Sequence, residues 1–304
     1  MVGFGIPGVG AAIDKVLATA QNGLEVLRFG ALDTGIEPTP FVVVENEPMF
    51  RLRRYFPDEP GTGPHALLIP PLMVAANVYD VTEDNGAVSI LHQSGITPWV
   101  IDFGSPDVEE GGLERNLADH VLAVSRAIDL IVETTGRDIH LWGYSQGGMF
   151  AYQAASYRAA KNSLSISTYG SPVDVLAGLP VPPAIVAPLS EFLADNVVGR
   201  LWIPGWMSRT GFQMLDPVKT IKGRIEFMRK LHDRDALLPR EEQRRFLEVD
   251  GRVAWSGPAI AELLRQFVAH NRMLSGGFVI NGELVSLTEL TMPILAFVGT
   301  ADDI

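Results

Sequence analysis

The segment from Ile139 to Met149 constrains the fold of this chain more than any other. A short apolar run, Ile-His-Leu-Trp, leads into Gly143-Tyr-Ser145-Gln-Gly147, after which apolar residues recur at helical spacing. This order predicts a strand, a sharp turn with Ser145 at its apex and a helix, which is the layout of a nucleophile elbow. Glycine is needed at both flanks because a Cβ there would strike the neighbouring strand or helix, and the serine backbone is strained. The alternative is a glycine-rich strand-to-helix turn in which the serine has no chemical role.

Composition narrows the class of protein. The chain has 304 residues, of which 47% are hydrophobic, enough for one large α/β domain with an insertion or for two small domains. The net charge of −12 argues against nucleic-acid binding. Cysteine is absent, which excludes a disulfide, a thiolate nucleophile and a cysteine-based metal site, and suits a cytoplasmic location.

The N-terminal residues do not resemble a signal peptide, and no apolar run is long enough to predict a membrane span. Four aromatic residues would still permit contact with a membrane or lipid-droplet surface: Phe192, Trp202, Trp206 and Phe212.

Strands and helices alternate through the first half of the chain. Buried strands are predicted at 65–69, 97–103, 139–142 and 164–169, with helices at 84–94, 113–135 and 146–160. The alternation favours a mostly parallel sheet covered by helices. Residues 9–29 also carry a helical apolar stripe, which predicts packing against the protein, with partner binding as the alternative: Ile13, Val16, Leu17, Ala20, Leu24 and Leu27.

The rest of the chain divides by pattern. We predict an N-terminal helix and first strands over 1–60, a core over 61–171, a mainly helical cap over 172–270, and a return to the core over 271–304. Phe278–Ile280 and 283–287 flank Asn281-Gly282 and predict a hairpin. Pro293–Gly299 returns to the pattern of a buried strand. The expected architecture is an α/β-hydrolase fold whose cap is inserted before the strand that carries the acid.

The candidate chemistry lies at strand ends, where the working residues of such a sheet are found. Ser145 is the candidate nucleophile, and it needs a histidine to accept its proton and an acid to orient that histidine. Asp302 follows the strand at 293–299 and is the candidate acid, with Asp303 as its competitor. Helix capping is the alternative role for both aspartates.

The loop Ile69-Pro-Pro-Leu-Met73 is the predicted source of an oxyanion donor. Its two prolines have no N–H, so the Leu72 amide is the first choice and the Met73 amide the second. The Gln146 amide is the other predicted donor. The alternative is a rigid loop whose prolines only end a strand.

The general base is not evident among the histidines. In this fold the chain order is serine, acid and then histidine. All six histidines precede Asp302, and surface or packing roles are predicted for them: His65, His92, His120, His140, His232 and His270. We therefore expect the catalytic histidine beyond residue 304, with the chain truncated before it and inactive alone.

Residues 65–304 resemble the polyhydroxyalkanoate synthase branch of the α/β-hydrolases. The resemblance rests on local segments: Leu68-Ile-Pro-Pro71, Asn77-Val-Tyr-Asp80, Val100-Ile-Asp-Phe-Gly-Ser-Pro106, Gly170-Ser-Pro-Val-Asp174 and Asn271-Arg-Met-Leu-Ser-Gly276. It implies that Ser145 stands at the nucleophile position and Asp302 at the acid position. The synthases use cysteine at the elbow, and serine suits hydrolysis of oxygen esters better than acyl transfer from thioesters.

The chain is also similar to the amino-terminal, lipase-like part of actinobacterial proteins that join such a module to an acyl-CoA synthetase. This similarity implies that a ligase domain using ATP and CoA follows, although the chemistry predicted for the present residues needs no cofactor or metal. The first hypothesis is a lipid acyl-ester hydrolase. The alternatives are a synthase-like acyltransferase that uses acyl-CoA and a non-catalytic module that binds acyl chains or lipid droplets.

Overall fold

A seven-stranded sheet forms the centre of the computed structural model, which describes residues 9–59, 61–82, 86–177 and 182–299. Within these ranges the strands are Phe41–Glu47 (β1), Phe50–Tyr55 (β2), His65–Ile69 (β3), Thr97–Asp102 (β4), Ile139–Tyr144 (β5), Ser163–Tyr169 (β6), Trp202–Ile203 (β7), Trp255–Ser256 (β8), Phe278–Ile280 (β9), Glu283–Val285 (β10) and Ile294–Phe297 (β11). The α-helices are Val9–Phe29 (α1), Ala87–Gln93 (α2), Leu117–Thr135 (α3), Gln146–Tyr157 (α4), Pro183–Asn196 (α5), Gly205–Leu215 (α6), Pro217–Lys230 (α7), Arg234–Leu237 (α8), Glu241–Arg245 (α9), Gly257–Leu263 (α10) and Arg272–Ser275 (α11).

The sheet runs in the order β1-β2-β4-β3-β5-β6-β11. Strands β4, β3, β5, β6 and β11 are parallel to one another, whereas β1 and β2 form an antiparallel pair at one edge, with β2 antiparallel to β4. Because β3 and β5 are neighbours, the loop after Ile69 and the turn after Tyr144 emerge side by side. The predicted α/β-hydrolase fold is confirmed.

Burial explains why these segments form the centre. All of β4 is buried, as are Ala66–Ile69 of β3, as expected for parallel strands covered on both faces. Helix α3 covers one face with the residues that its sequence pattern predicts, Leu117, Val121, Val124, Ile128 and Ile131. It begins with a capping box between Asn116 and Asp119 and ends at Gly136, whose φ is 69°.

Between β6 and β9 the chain leaves the sheet and forms a mainly helical insertion. Two short strands that the sequence analysis missed, β7 and β8, pair there. The insertion contacts the core at the loop after β3: Val253 donates to the carbonyl of Met73 (3.2 Å), and Ala75 donates to that of Gly251 (3.0 Å). It therefore lies against the predicted oxyanion loop. The domain boundaries stay predictions.

Two packing predictions were wrong. Five residues of the α1 stripe are more than half exposed: Ile13, Val16, Leu17, Leu24 and Leu27. Helix α1 is instead fixed by polar contacts, including a bond from the Asn22 side chain to the Leu231 carbonyl (2.7 Å). Strand β11 was expected to be buried, but Ile294, Leu295 and Phe297 are exposed, because β11 lies at the edge of the sheet in the described structure.

The predicted hairpin is confirmed. The hairpin of β9 and β10 forms around Asn281-Gly282, and both turn residues have positive φ. None of the helices within the described ranges combines the length and apolar character needed to cross a bilayer.

Candidate active site

Ser145 occupies the turn between β5 and α4. Its φ of 53° and ψ of −124° lie in a region that non-glycine residues rarely adopt. Two backbone bonds hold it there: its N–H donates to the Tyr169 carbonyl (2.8 Å), and its carbonyl accepts from the Gly148 N–H (3.0 Å). The residue is half-buried, so the turn presents its side chain at the carboxyl end of the sheet.

The two flanking glycines are required by close backbone approach. A Cβ on Gly143 would overlap the backbone of Gly148 at the start of α4. A Cβ on Gly147 would overlap the carbonyl oxygen of Ile69, the last residue of β3. Glycine is therefore the only residue at these two positions that lets the first turn of α4 pack directly against β3 and β5.

The loop after β3 and the elbow meet at Leu72 and Gln146. The Leu72 N–H donates to the side-chain Oε1 of Gln146 across 3.2 Å, a long bond between two buried residues. The Gln146 Nε2, also buried, has no hydrogen-bond partner in the described part of the chain. The structure thus brings both predicted oxyanion residues together. The side-chain oxygen of Gln146 already accepts the hydrogen bond of the Leu72 amide.

Tyr79 joins the same loop to the elbow, and sequence reasoning assigned it no role. Its hydroxyl donates to the Ile69 carbonyl (2.6 Å) and accepts from the N–H of Tyr144, the residue before the serine (3.1 Å). Burial raises the pKa of this hydroxyl above its usual range, so it stays protonated and can keep donating. The only signal was its place in the segment Asn77-Val-Tyr-Asp80.

Five of the six histidines have partners away from the serine. His65 accepts from the Trp99 indole (3.2 Å), His140 bonds to the Ser165 hydroxyl (2.7 Å), and His92 and His270 pair with glutamates. His120 is buried and bonds to the Asn116 carbonyl (2.6 Å). Within the described ranges none hydrogen-bonds to Ser145. Asp302 and Asp303 lie outside the described residues, so their predicted roles stay predictions.

Sequence comparison identifies relatives of this chain. No protein-family model matches the chain. Over 296 residues it is 29% identical to the poly(3-hydroxyalkanoate) polymerase subunit PhaC of Allochromatium vinosum, covering 92% of this chain and 79% of that one. The PhaC subunit of Thiocystis violacea is 26% identical over 301 residues, covering 95% of this chain and 81% of the other. The chain is therefore similar to polyhydroxyalkanoate synthases over most of its length.

Structural comparison gives more distant neighbours. A Paleococcus ferrophilus monoacylglycerol lipase aligns over 82% of this chain and 89% of its own, with a TM-score of 0.44 and 17% identity. The 2-hydroxy-6-oxo-6-phenylhexa-2,4-dienoate hydrolase of a Rhodococcus species aligns over 88% and 83%, with a TM-score of 0.44 and 16% identity.

Two segments of the synthase resemblance contact each other. The Asn271 side chain donates to the Asp174 carboxylate (2.6 Å) and accepts from the Val175 N–H (3.4 Å). Asn271 has a φ of 45°, a conformation that asparagine tolerates better than most residues. The pair links the chain just after β6 to the end of the insertion.

No group of three or more His, Asp or Glu side chains in the described ranges is placed to hold a metal ion.

Proposed function

We propose that this synthase-like hydrolase is a serine acyl-ester hydrolase that acts on lipid acyl esters. The observation that carries the proposal is the elbow itself, which holds Ser145 partly exposed at a strained turn beside the Leu72–Gln146 contact. Elbow strain of this kind is typical of functional sites. A hydroxyl suits oxygen esters, for which an acyl-enzyme forms and is then hydrolysed.

The steps follow from the residues. The Ser145 hydroxyl attacks the ester carbonyl carbon as a base takes its proton, and the carbonyl oxygen becomes an oxyanion. The Leu72 and Gln146 amides are the proposed donors to that oxyanion. The intermediate collapses, the leaving alkoxide takes the proton from the base, and the acyl group stays on the serine. Water then attacks, again through the base, and releases the fatty acid.

Substrate binding must displace the Gln146 side chain from the Leu72 amide. At 3.2 Å this bond is long, so an oxyanion, which forms a stronger charge-assisted bond, would replace it readily. We propose that Asp302 orients the base and that the base is a histidine beyond residue 304, because none of the described histidines bonds to Ser145.

We also propose a fused domain and a cellular location for this protein. The similarity to actinobacterial fusion proteins supports a longer lipid-metabolism protein in which an acyl-CoA synthetase domain follows the hydrolase. A cytoplasmic protein that works at the surface of a membrane or lipid droplet would meet such substrates.

A second function is favoured by a specific observation. The sequence relatives are polymerase subunits, which supports a transferase that moves acyl groups from acyl-CoA to a growing chain. Ser145 would then carry the acyl group, but a hydroxyl rather than water would accept it. Supply of a hydroxyacyl-CoA separates the two functions, since growth of oligomers indicates transfer and release of free acid indicates hydrolysis.

A fluorophosphonate probe tests the shared nucleophile. In the protein extended past Ile304, the probe should label the chain, and Ser145→Ala should abolish labelling. Ser171→Ala is the matched control, because this serine lies against Gly148 and its buried hydroxyl has no partner in the described residues. Labelling that survives Ser145→Ala would refute the assignment, and no labelling of the extended protein would favour a non-catalytic binding module.

A further inference from the structure

Helix α7 (Pro217–Lys230) exposes an apolar stripe that no other described residue covers. Val218, Ile221, Ile225 and Met228 are each roughly half exposed or more. Their three- and four-residue spacing places them on one face of the helix. No residue of α7 is fully buried, so the stripe is not part of the core.

The opposite side of α7 attaches the helix to the protein. Phe227 is partly buried there, packed with Leu32, Leu231 and Leu237, and the Arg244 guanidinium lies 4.4 Å from its ring centre. At about 100° per residue, Phe227 points away from the stripe. The helix is therefore anchored through one face and presents its apolar face to the solvent.

Charge distinguishes this region from the rest of the chain. Residues 205–230 contain six Lys or Arg and two Asp or Glu, whereas the whole chain carries a net charge of −12. On the α7 helical wheel, Lys222 and Arg229 flank the stripe on one side and Arg224 on the other. Lys219, Lys222 and Arg229 make no salt bridge with any described residue, so their charges are free to meet an external anion.

We propose that α7 is an interfacial helix that docks this protein on a lipid surface containing anionic headgroups. An apolar stripe flanked by cationic side chains fits such a surface, because the stripe enters the acyl boundary while Lys and Arg extend to the headgroups. Helix α6 adjoins it through Asp216 and adds exposed Trp206 and Met214, and tryptophan prefers the same boundary.

Charge complementarity favours an anionic lipid surface over a second copy of the chain as the partner of α7. A two-fold interface through α7 would place two basic stripes against each other, which costs free energy. An anionic bilayer attracts the basic segment and repels the acidic remainder, so it also orients the molecule. The proposal extends the lipid-surface setting suggested above but does not depend on the chemistry of Ser145.

Vesicle partitioning tests the proposal. The full-length protein carrying Ser145→Ala keeps turnover out of the measurement, and binding is compared on phosphatidylcholine vesicles and on equimolar phosphatidylcholine and phosphatidylglycerol. Binding should require the anionic lipid and should weaken when salt rises from about 0.1 M to about 1 M, where the Debye length falls from about 10 Å to about 3 Å.

Matched variants locate the binding site. Lys222→Gln with Arg229→Gln should weaken partitioning about thirtyfold, because each cation near an anionic surface contributes about 1 kcal/mol. Lys15→Gln with Lys161→Gln changes the net charge equally at exposed positions outside α7 and should have little effect. Ile221→Ser with Ile225→Ser should abolish binding. Ile90 is half exposed on α2, and Ile90→Ser should leave binding unchanged.

Three outcomes would overturn the proposal. One is equal binding to neutral and anionic vesicles. Another is equal weakening by the α7 and control charge variants. The third is absence of vesicle binding together with a dimer that the Ile221 and Ile225 substitutions dissociate, which would assign the stripe to a contact between copies. Since all these substitutions are at exposed sites, unchanged thermal unfolding verifies that each variant folds. Loss of fluorophosphonate labelling with intact vesicle binding would contradict only the proposed hydrolase.

Discussion

Acidification should destabilise this protein through His120, a histidine that is buried without a compensating charge. The side chain is 1% exposed, its Nδ1 lies 2.6 Å from the Asn116 carbonyl, and its ring packs near Phe103 and Phe150. Burial lowers the pKa of His120 from 6.5 to about 4. The folded protein therefore holds this ring neutral at pH values where the unfolded chain protonates it.

The sign and size of the effect follow from linkage. The stabilising contribution is complete above about pH 6.5 and is lost as the pH falls toward about 4, because the unfolded state binds the proton first. Between about pH 7.5 and pH 5 the unfolded chain gains nearly one proton at this site and the folded chain almost none. At about 1.4 kcal/mol per pKa unit, this lowers the free energy of unfolding by about 2 kcal/mol.

Urea unfolding of the wild type and of His120→Phe at both pH values isolates this contribution. Phenylalanine keeps the aromatic packing but cannot titrate, so the variant should lose about 2 kcal/mol less than the wild type on acidification. His65 and His140, whose pKa values burial also lowers, contribute equally to both proteins and cancel. Parallel losses in the two proteins would show that His120 protonates in the folded state and would refute the reasoning.

Two predictions concern the elbow. Tyr79→Phe should slow fluorophosphonate labelling at least tenfold and lower the free energy of unfolding by about 1–3 kcal/mol, since it leaves the Tyr144 N–H unpaired; Tyr152→Phe, which removes a buried bond to Thr168, should lower stability without slowing labelling. Equal labelling rates in the two variants would exclude a positioning role for Tyr79. Gln146→Met should speed labelling severalfold because it frees the Leu72 amide, a bond worth about 1 kcal/mol. Slower labelling would instead mean that the Gln146 side chain orients the loop.

Local patterns predicted the sheet because each of its segments carries its own signal. The continuous apolar runs of β3 and β4 and the periodic stripe of α3 are buried in the structure. A stripe alone does not say what covers it, which is why the packing predicted for α1 was wrong. The strands β7 and β8 were missed since each has two residues, too few to show a period, and they pair across more than fifty residues of chain.

The candidate site likewise combines a local pattern with contacts between residues that are distant in the sequence. Gly143, Ser145 and Gly147 lie within one tight turn, so their roles in the turn could be inferred from spacing. The contact of Leu72 with Gln146 spans 74 residues, and that of Tyr79 with Tyr144 spans 65. The sequence could suggest Leu72 only by eliminating prolines as donors, and it contained no comparable rule for a tyrosine hydroxyl. Asp302 stays a prediction.

The contacts around Ile69 explain how the elbow can accept different nucleophiles. The Tyr79 hydroxyl donates to the Ile69 carbonyl, and Gly147 lies directly against the same carbonyl. This one backbone group therefore fixes the distance between the turn and the predicted oxyanion loop. The two hydrogen bonds that hold Ser145 in its turn are also made by its backbone. Because none of these contacts uses the side chain at the apex, a cysteine and a serine can occupy the same frame. The chemistry of the site can therefore change through one atom, oxygen in place of sulfur, while the fold and the proposed donors to the oxyanion stay as they are.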